Sequence, residues 1–352
     1  MKKTLIALAA LGAMAGAAQA QSTVTLYGVA DVYFGQTSTT TKPTATGVET
    51  KLKQTVVDSG GFNGSRWGLR GAEDLGGGLK AIFQIESGFD ISKGTSLQGG
   101  ALFGRQAYVG FSGGFGAVTL GRQYSAYSTL RSVTNNTYDS TFATTDTAWG
   151  NGVADYTLRV NNSIAYQSPV FNGFSGAVLF GLGENKTDTP APGLKATKNH
   201  SLNIQYANGP VLVGYAHQVE NSRLAGPPAA NSADRKYNLI AGSFDFGVAS
   251  ITGGYNTAKA GATKDKEYQL GVKVPFGAAS VAAGYSRSKS DTAGVTSKGT
   301  GYSIAGQYDL SKRTALYAGW NQTKADFAAF VAPATSATVK TSLMAVGMRH
   351  RF

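Results

Sequence analysis

From about residue 200 to the C-terminus, apolar and polar residues alternate at a period of two. Leu202, Ile204 and Tyr206 alternate with Asn203 and Gln205, and Tyr268, Leu270, Val272 and Val274 alternate with Gln269, Gly271 and Lys273. Tyr302, Ile304 and Tyr308 alternate with Ser303, Ala305 and Gln307, and Met344, Val346, Met348 and Phe352 alternate with Ala345, Gly347, Arg349 and Arg351. Such alternation gives each strand one apolar and one polar face. Short and long breaks take turns along the chain. The short ones are tight turns at 74–78, 208–210, 245–247, 275–277 and 309–312. The long ones, at 36–63, 184–199, 220–235, 258–265, 288–298 and 325–339, are polar and rich in Thr, Lys, Ala and Pro. Transmembrane barrels have this rhythm, with short periplasmic turns and long external loops.

The segments between breaks predict strands at 23–35, 64–74, 79–89, 102–112, 117–122, 159–169, 174–183 and 200–208. The second half adds 211–219, 236–245, 248–257, 266–274, 279–287, 300–309, 313–324 and 340–352. Sixteen is an even number in the range that leaves an aqueous lumen. With no domain boundary visible, the expectation is an all-β fold, a transmembrane 16-stranded antiparallel β-barrel, closed because an open edge in lipid would leave backbone groups unpaired.

Composition narrows the alternatives. The absence of cysteine excludes disulfide scaffolds, Cys-based zinc sites and iron–sulfur clusters. Seventeen Tyr and 17 Phe argue against disorder, and 47 glycines argue against a helical bundle, where each interior glycine costs about 1 kcal/mol relative to alanine. A soluble β-sandwich would carry charge on its solvated face. Here the less apolar face is mostly Ser, Gln, Asn, Gly and Ala, which favours the barrel.

At the N-terminus, Lys2 and Lys3 precede an apolar run from Leu5 to Ala18 and the exit Ala18-Gln19-Ala20. This pattern reads as a secretory signal peptide, residues 1–20, cleaved before Gln21; the run is too short for a membrane-spanning helix. Removing it leaves one barrel domain, 21–352, of 332 residues, and lowers the net charge from +12 to +10.

The stretch GSRWGLRGAEDLGGGLKAIFQIESGF (64–89), with LFGRQAYVGFSGGFGAVTLGRQ (102–123), STVTLYGVADVYF (22–34) and a terminal Phe352, resembles Gram-negative general porins, most closely the beta-proteobacterial and neisserial branch. The resemblance covers essentially the whole mature chain and is weakest in the loops. It implies a homotrimer of barrels in the outer membrane of a Gram-negative bacterium, in contact with its lipid and lipopolysaccharide. It also implies a third external loop folded into each lumen and passive diffusion of ions and small hydrophilic solutes. Phe352 resembles the terminal aromatic through which outer-membrane assembly machinery recognises such chains.

A pore is selective where charged side chains ring its narrow part. Strand parity places Arg66 and Arg70 inward, opposite in phase to Trp67 and Leu69. It places Lys80, Gln84 and Glu86 inward, opposite to Ala81, Phe83 and Ile85, and Arg159 inward with Ser163 and Gln167. Arg105 shares its parity with Val109 and Phe111, so parity leaves it open. The resemblance implies that Arg66, Arg105 and Arg159 form the basic constriction cluster, with Glu86 as its acidic partner. Any one of these arginines taken alone reads better as a solvated wall charge; it is the three together, on strands flanking the constriction loop, that favour the cluster. At 4 Å a unit-charge pair gains about 4 kcal/mol at an effective dielectric of 20 and about 1 in bulk water, so such a cluster enriches small anions without trapping them.

Gln123 to Ala154 shows no strand pattern and is too long for an ordinary structureless loop. It reads as the constriction loop, about 123–158, carrying Arg122 at its edge and Arg131, Asp139, Asp146 and Asp155 within; the alternative is an external surface loop. Tyr27, Tyr33, Trp67, Tyr166, Tyr206, Tyr302, Trp320 and Phe352 are candidates for interfacial aromatic girdles.

The sequence supports no enzyme. His200, His217 and His350 lie apart, without a G-x-S-x-G motif or metal-ligand spacing, so no cofactor, metal or catalytic residue is expected. The dispersed Lys and Arg make no phosphate-tracking patch for nucleic acid. The expected function is a general diffusion porin with mild anion preference. A substrate-specific outer-membrane channel is the alternative, and an outer-membrane barrel enzyme a more distant one.

Overall fold

In the computed structural model, residues 23–149, 153, 156–183, 198–221, 234–327 and 336–352 are described. The signal-peptide segment, Asp155 and parts of several long breaks lie outside them. The chain begins with β1 (Thr23–Pro43), β2 (Thr50–Ser59), β3 (Arg66–Gly76), β4 (Leu79–Asp90), the two-residue β5 (Thr95–Ser96), β6 (Gln106–Gly113) and β7 (Gly116–Tyr124). Two short helices follow, α1 (Ala126–Arg131) and α2 (Thr145–Trp149). Then come β8 (Arg159–Gln167), β9 (Phe174–Gly181), β10 (Lys198–Asn208), β11 (Val211–Asn221), β12 (Arg235–Asp245) and β13 (Ser250–Ala260). The last strands are β14 (Thr263–Phe276), β15 (Ala279–Thr292), β16 (Val295–Asp309), β17 (Thr314–Phe327) and β18 (Ala337–Arg351).

The pairing is antiparallel throughout, and β18 returns to β1 in register from Val29↔Arg351 to Pro43↔Ala337, closing the sheet. β1 pairs with β3 over Thr23–Val29 and with β2 over Val32–Thr41, so β2 and β3 are two parts of one stave broken at 60–65. β5 lies off the main ladder, and β4 pairs directly with β6. Counted this way, the described residues form a closed barrel of sixteen staves. The seam is finished by Phe352, whose N–H donates to Gly28 O (3.1 Å) and whose carbonyl accepts from Gly28 N–H (2.9 Å). A Cβ at Gly28 would stand 2.2 Å from the Phe352 ring, so the closure requires glycine there.

The two faces are those of a membrane barrel and the inverse of a sandwich. Leu26, Phe34, Val109, Ile204, Leu270, Met344 and Val346 are between 54% and 63% exposed, whereas Asn203, Gln218, Asn256, Glu267, Gln269, Ser286 and Ser303 are 6% or less. Water would oppose such an arrangement, and lipid outside a wet bore favours it.

Three breaks read as long loops are largely strand. β1 and β2 continue through most of 36–59, β13 and β14 turn over Gly261 and Ala262, and β15 and β16 turn over Ala293 and Gly294. The apolar phase vanishes there while the ladder continues. On β14–β16 the outward positions become Lys264, Lys266, Lys289 and Lys298, all exposed. Beyond the bilayer both faces meet polar surroundings, so alternation no longer marks a strand.

Two girdle candidates are corrected. Tyr27 and Tyr33 stand in phase with buried Val29 and Asp31, opposite to Leu26 and Phe34, and therefore point inward. Trp67, Tyr166, Tyr302, Trp320 and Phe352 are exposed on the outer side.

Candidate functional site: the inner wall of the barrel

One half of the inner wall gathers charge. Glu86 on β4 is 4% exposed. Its Oε1 lies 2.6 Å from Arg105 Nε and its Oε2 3.7 Å from Arg66 Nε. Arg105 sits just before β6, where its backbone N–H donates to Glu86 O at 3.1 Å. Being outside the strand, it escapes the parity that sets Val109 and Phe111 outward. Tyr27 Oη donates to Glu86 Oε2 (2.9 Å), and the Arg70 guanidinium lies 5.2 Å from the Tyr27 ring.

Arg159 joins through Tyr124, its directly opposed partner across β7 and β8. Tyr124 Oη accepts from Arg159 Nη2 (2.7 Å) and from Arg105 Nη2 (2.9 Å), and the Arg159 guanidinium covers the Tyr124 ring at 4.5 Å. A bulge precedes the pair: Gly121 opposes Ser163 but Gln123 opposes Val160, with Asn162 at φ 45° taking up the extra residue. The bulge re-aims the strand ends, as such irregularities do. Among the described residues no carboxylate lies within ion-pair distance of Arg159, so its charge is the least compensated of the three. Arg66, Arg105 and Arg159 line one cavity of about 630 Å³, together with Tyr124, Arg131, Asp139 and Asp146.

The segment after β7 covers the other half of the wall. Ser125 caps α1, accepting from Ser128 N–H, and its own N–H donates to Leu158 O, which brings the two ends of the segment together. Tyr127 and Leu130 are fully buried against Tyr237, Leu239 and Ala258, with Tyr127 Oη donating to Asn256 Oδ1 at 2.9 Å. Farther along, Phe142 is buried with Phe62 and Tyr317, whose rings stack at 4.3 Å. Thr144 meets Ser286 at 2.8 Å, Tyr138 meets Ser280 at 2.9 Å, and Thr137 bonds Ser303. Asn321 Nδ2 donates to Thr141 O at 2.8 Å. The wall makes room with glycine: a Cβ at Gly284 would lie 2.4 Å from Asn136, and one at Gly301 2.4 Å from Thr144.

Of the remaining candidates, Arg131, Asp139 and Asp146 reach the same cavity from the loop side and the others are dispersed. Arg131 is 2% exposed, paired with Asp146 at 2.6 Å and stacked 4.4 Å from the Trp149 ring, so it braces α1 to α2. Asp139 is exposed and accepts from Asn135 Nδ2 at 2.7 Å. Arg122 lies on β7, donates to Gly104 O at 2.8 Å and to Asn161, and does not line the cavity. Lys80 is at the short-turn end of β4, opposite Asp74 and Ser112. His200 faces the Phe180 ring, His217 Nδ1 lies 2.8 Å from Asn238 Oδ1, and His350 Nδ1 lies 2.9 Å from Thr314 Oγ1. Tyr124 and Tyr27 were missed as site residues. Tyr27's phase opposite Leu26 was a usable signal, whereas Tyr124 lies past a bulge that parity cannot cross.

A model of the Gram-negative porin family matches residues 7–328. An outer membrane porin protein of Bordetella pertussis is 33% identical, covering 100% of both chains. Outer membrane porin protein 32 of Delftia acidovorans is 33% identical over 90% of this chain and 88% of its own. Among solved structures, the anion-selective porin from Comamonas acidovorans superposes with a TM-score of 0.72 at 29% identity, covering 94% of this chain and 100% of that one.

Proposed function

The chain belongs to the Gram-negative porin family, and from that premise we propose that its outer-membrane barrel is a general diffusion channel with mild anion preference. The observation that carries this is the joining of Arg66, Arg105 and Arg159 through Tyr124 and Glu86 in one cavity on the inner wall. The segment of about 123–158 acts as the constriction loop. In support, Tyr127, Thr137, Thr144 and Phe142 pack on the inner face of β13, β16, β15 and β17.

A solute entering the narrow part loses water and meets the guanidinium groups of Arg66, Arg105 and Arg159. Against these stand the buried Glu86 and, on the loop side of the cavity, Asp139 and the Arg131–Asp146 pair. Arg105 and Glu86 offset one another at contact distance, and Arg159 is left to attract anions. The preference is mild because water still fills the bore and screens the charges. The Comamonas structure, described as anion-selective, supports the same sign. We take the working unit to be a homotrimer, a reading that membership of the porin family supports and that native mass spectrometry of detergent-extracted protein checks. The relatives are porins, and the inner wall works by electrostatics and positioning, so we assign diffusion rather than catalysis.

The test is the zero-current potential of purified protein in a planar bilayer under a KCl gradient. We expect anion preference, abolished in the Arg66→Gln/Arg105→Gln/Arg159→Gln triple variant. Cation preference in the unmodified protein overturns the reading, and conductance that saturates with one solute points to the substrate-specific alternative.

A further inference from the structure

Beyond the arginine cluster, a second cavity of about 620 Å³ opens toward the short-turn end of the barrel, which in this family faces the periplasm. Asn135 and Asp139 line both cavities, so this part of the loop segment separates them. Five cations border the second cavity: Lys273 on β14, Lys312 and Arg313 in the β16–β17 turn, and Arg349 and Arg351 on β18. Its only lining carboxylates among the described residues are Asp139 and Asp309.

None of the five cations forms an ion pair among the described residues. Arg349 is the informative one. It is 9% exposed, and its Nη1 donates to Asn63 Oδ1 (3.1 Å) and its Nη2 to Gln307 Oε1 (3.2 Å), both neutral amides. Its Nε is buried without a partner. The guanidinium also lies against the Phe62 ring at 6.0 Å, and Asp31 and Asp309 act on it only from beyond ion-pair distance. A buried guanidinium so held keeps a partly compensated charge, which an anion in the cavity would offset further. Lys273 reaches over the Tyr138 ring at 5.3 Å, placing a second cation beside the same loop segment.

We propose that this cavity is a second anion station, entered from the periplasmic side, that retains small multivalent oxyanions bearing carboxylate or phosphate groups. Three of its cations are arginines, whose planar forks match both groups. Attraction grows with the charge of the ligand, so a di- or trianion is held where chloride passes. The volume suits a small organic anion. The Asp139 carboxylate between the stations divides them. The inference rests on the bore conducting anions and adds a place where one class of anion lingers.

The test uses full-length protein in a planar bilayer with dilute KCl, adding pyrophosphate or citrate to one compartment at a time. The chain has no cysteine, so a biotin on Ala278→Cys, in the β14–β15 turn, reports the orientation of each channel through streptavidin access. Block of the chloride current is expected at about fivefold lower concentration from the short-turn side than from the other. The Lys273→Gln/Arg313→Gln variant, altered at two exposed positions, should raise the blocking concentration by about fivefold again, and Arg349→Gln should do the same. Block by only one of the two polyanions assigns the station to phosphate or to carboxylate. Equal block from both sides, no block by either polyanion, or block unchanged in the variants overturns the proposal. If block fails while the zero-current potential stays anionic, this inference alone falls; a cationic potential defeats the arginine-cluster reading instead.

Discussion

The two halves of the inner wall solve different problems. From β3 to β8 the wall is bare and carries Arg66, Glu86, Arg105, Tyr124 and Arg159, joined by ion pairs and phenol hydrogen bonds. From β11 to β17 it carries many Gly, Ser, Asn and Ala residues, with the buried carboxylates Glu220, Asp265 and Glu267 among them, and the segment after β7 lies on it through buried aromatics and hydroxyl pairs. The arginine cluster sits where the wall is left open to a solute. On the covered part small side chains let the chain approach closely, and the carboxylates of Glu220 and Asp265 accept from the N–H groups of Thr157 and Val153. The comparison explains why so glycine-rich a chain folds into a defined bore: part of its glycine is a berth for the loop.

The largest effect should come from stripping the covered half of its anchors. Tyr127→Ala or Phe142→Ala, each truncating a fully buried ring, should cost about 3–5 kcal/mol of local stability. It should be read as faster amide exchange over 126–149 and a rise in single-channel conductance. Unchanged exchange would show that the aromatics do not hold the segment. Gly301→Val, which drives a side chain into Thr144, should cost about 1–3 kcal/mol and raise conductance in the same direction.

On the bare half, Arg159→Gln should reduce anion preference more than Arg105→Gln, because Glu86 already offsets Arg105 at 2.6 Å. Glu86→Gln should increase the preference. All three are measured as zero-current potentials at about 0.1 M salt, where the screening length is about 10 Å, and the differences should shrink near 1 M, where it is about 3 Å. An equal effect of the two arginine variants would break the distinction between compensated and uncompensated charge. The smallest effect expected is for Thr144→Val, which removes one hydroxyl partner of Ser286 and should cost about 1 kcal/mol with little change in conductance.

The alternation at period two made the sixteen staves legible, because a lipid-facing strand announces itself through its immediate neighbours. It also placed Arg66, Glu86 and Arg159 inward without any knowledge of the fold. It failed in recognisable ways. β1 to β2 and β15 to β16 run on where both faces are wet and the pattern fades. Residue type alone suggests the interface for Tyr27 and Tyr33, whereas their phase relative to Leu26 and Phe34 points them inward. Arg105 could not be placed, since it lies one residue before its strand.

What the sequence by itself determined is therefore local: strand positions, which phase meets lipid, and the charges available to the lumen. What only the tertiary structure decided is which distant groups meet. Tyr124 joins Arg105 to Arg159 because a bulge turns two strand ends together, and Thr144 rests on Gly301 because a loop folds back across staves more than a hundred residues away. Those contacts depend on closure of the sheet, a global constraint that no short window of residues contains.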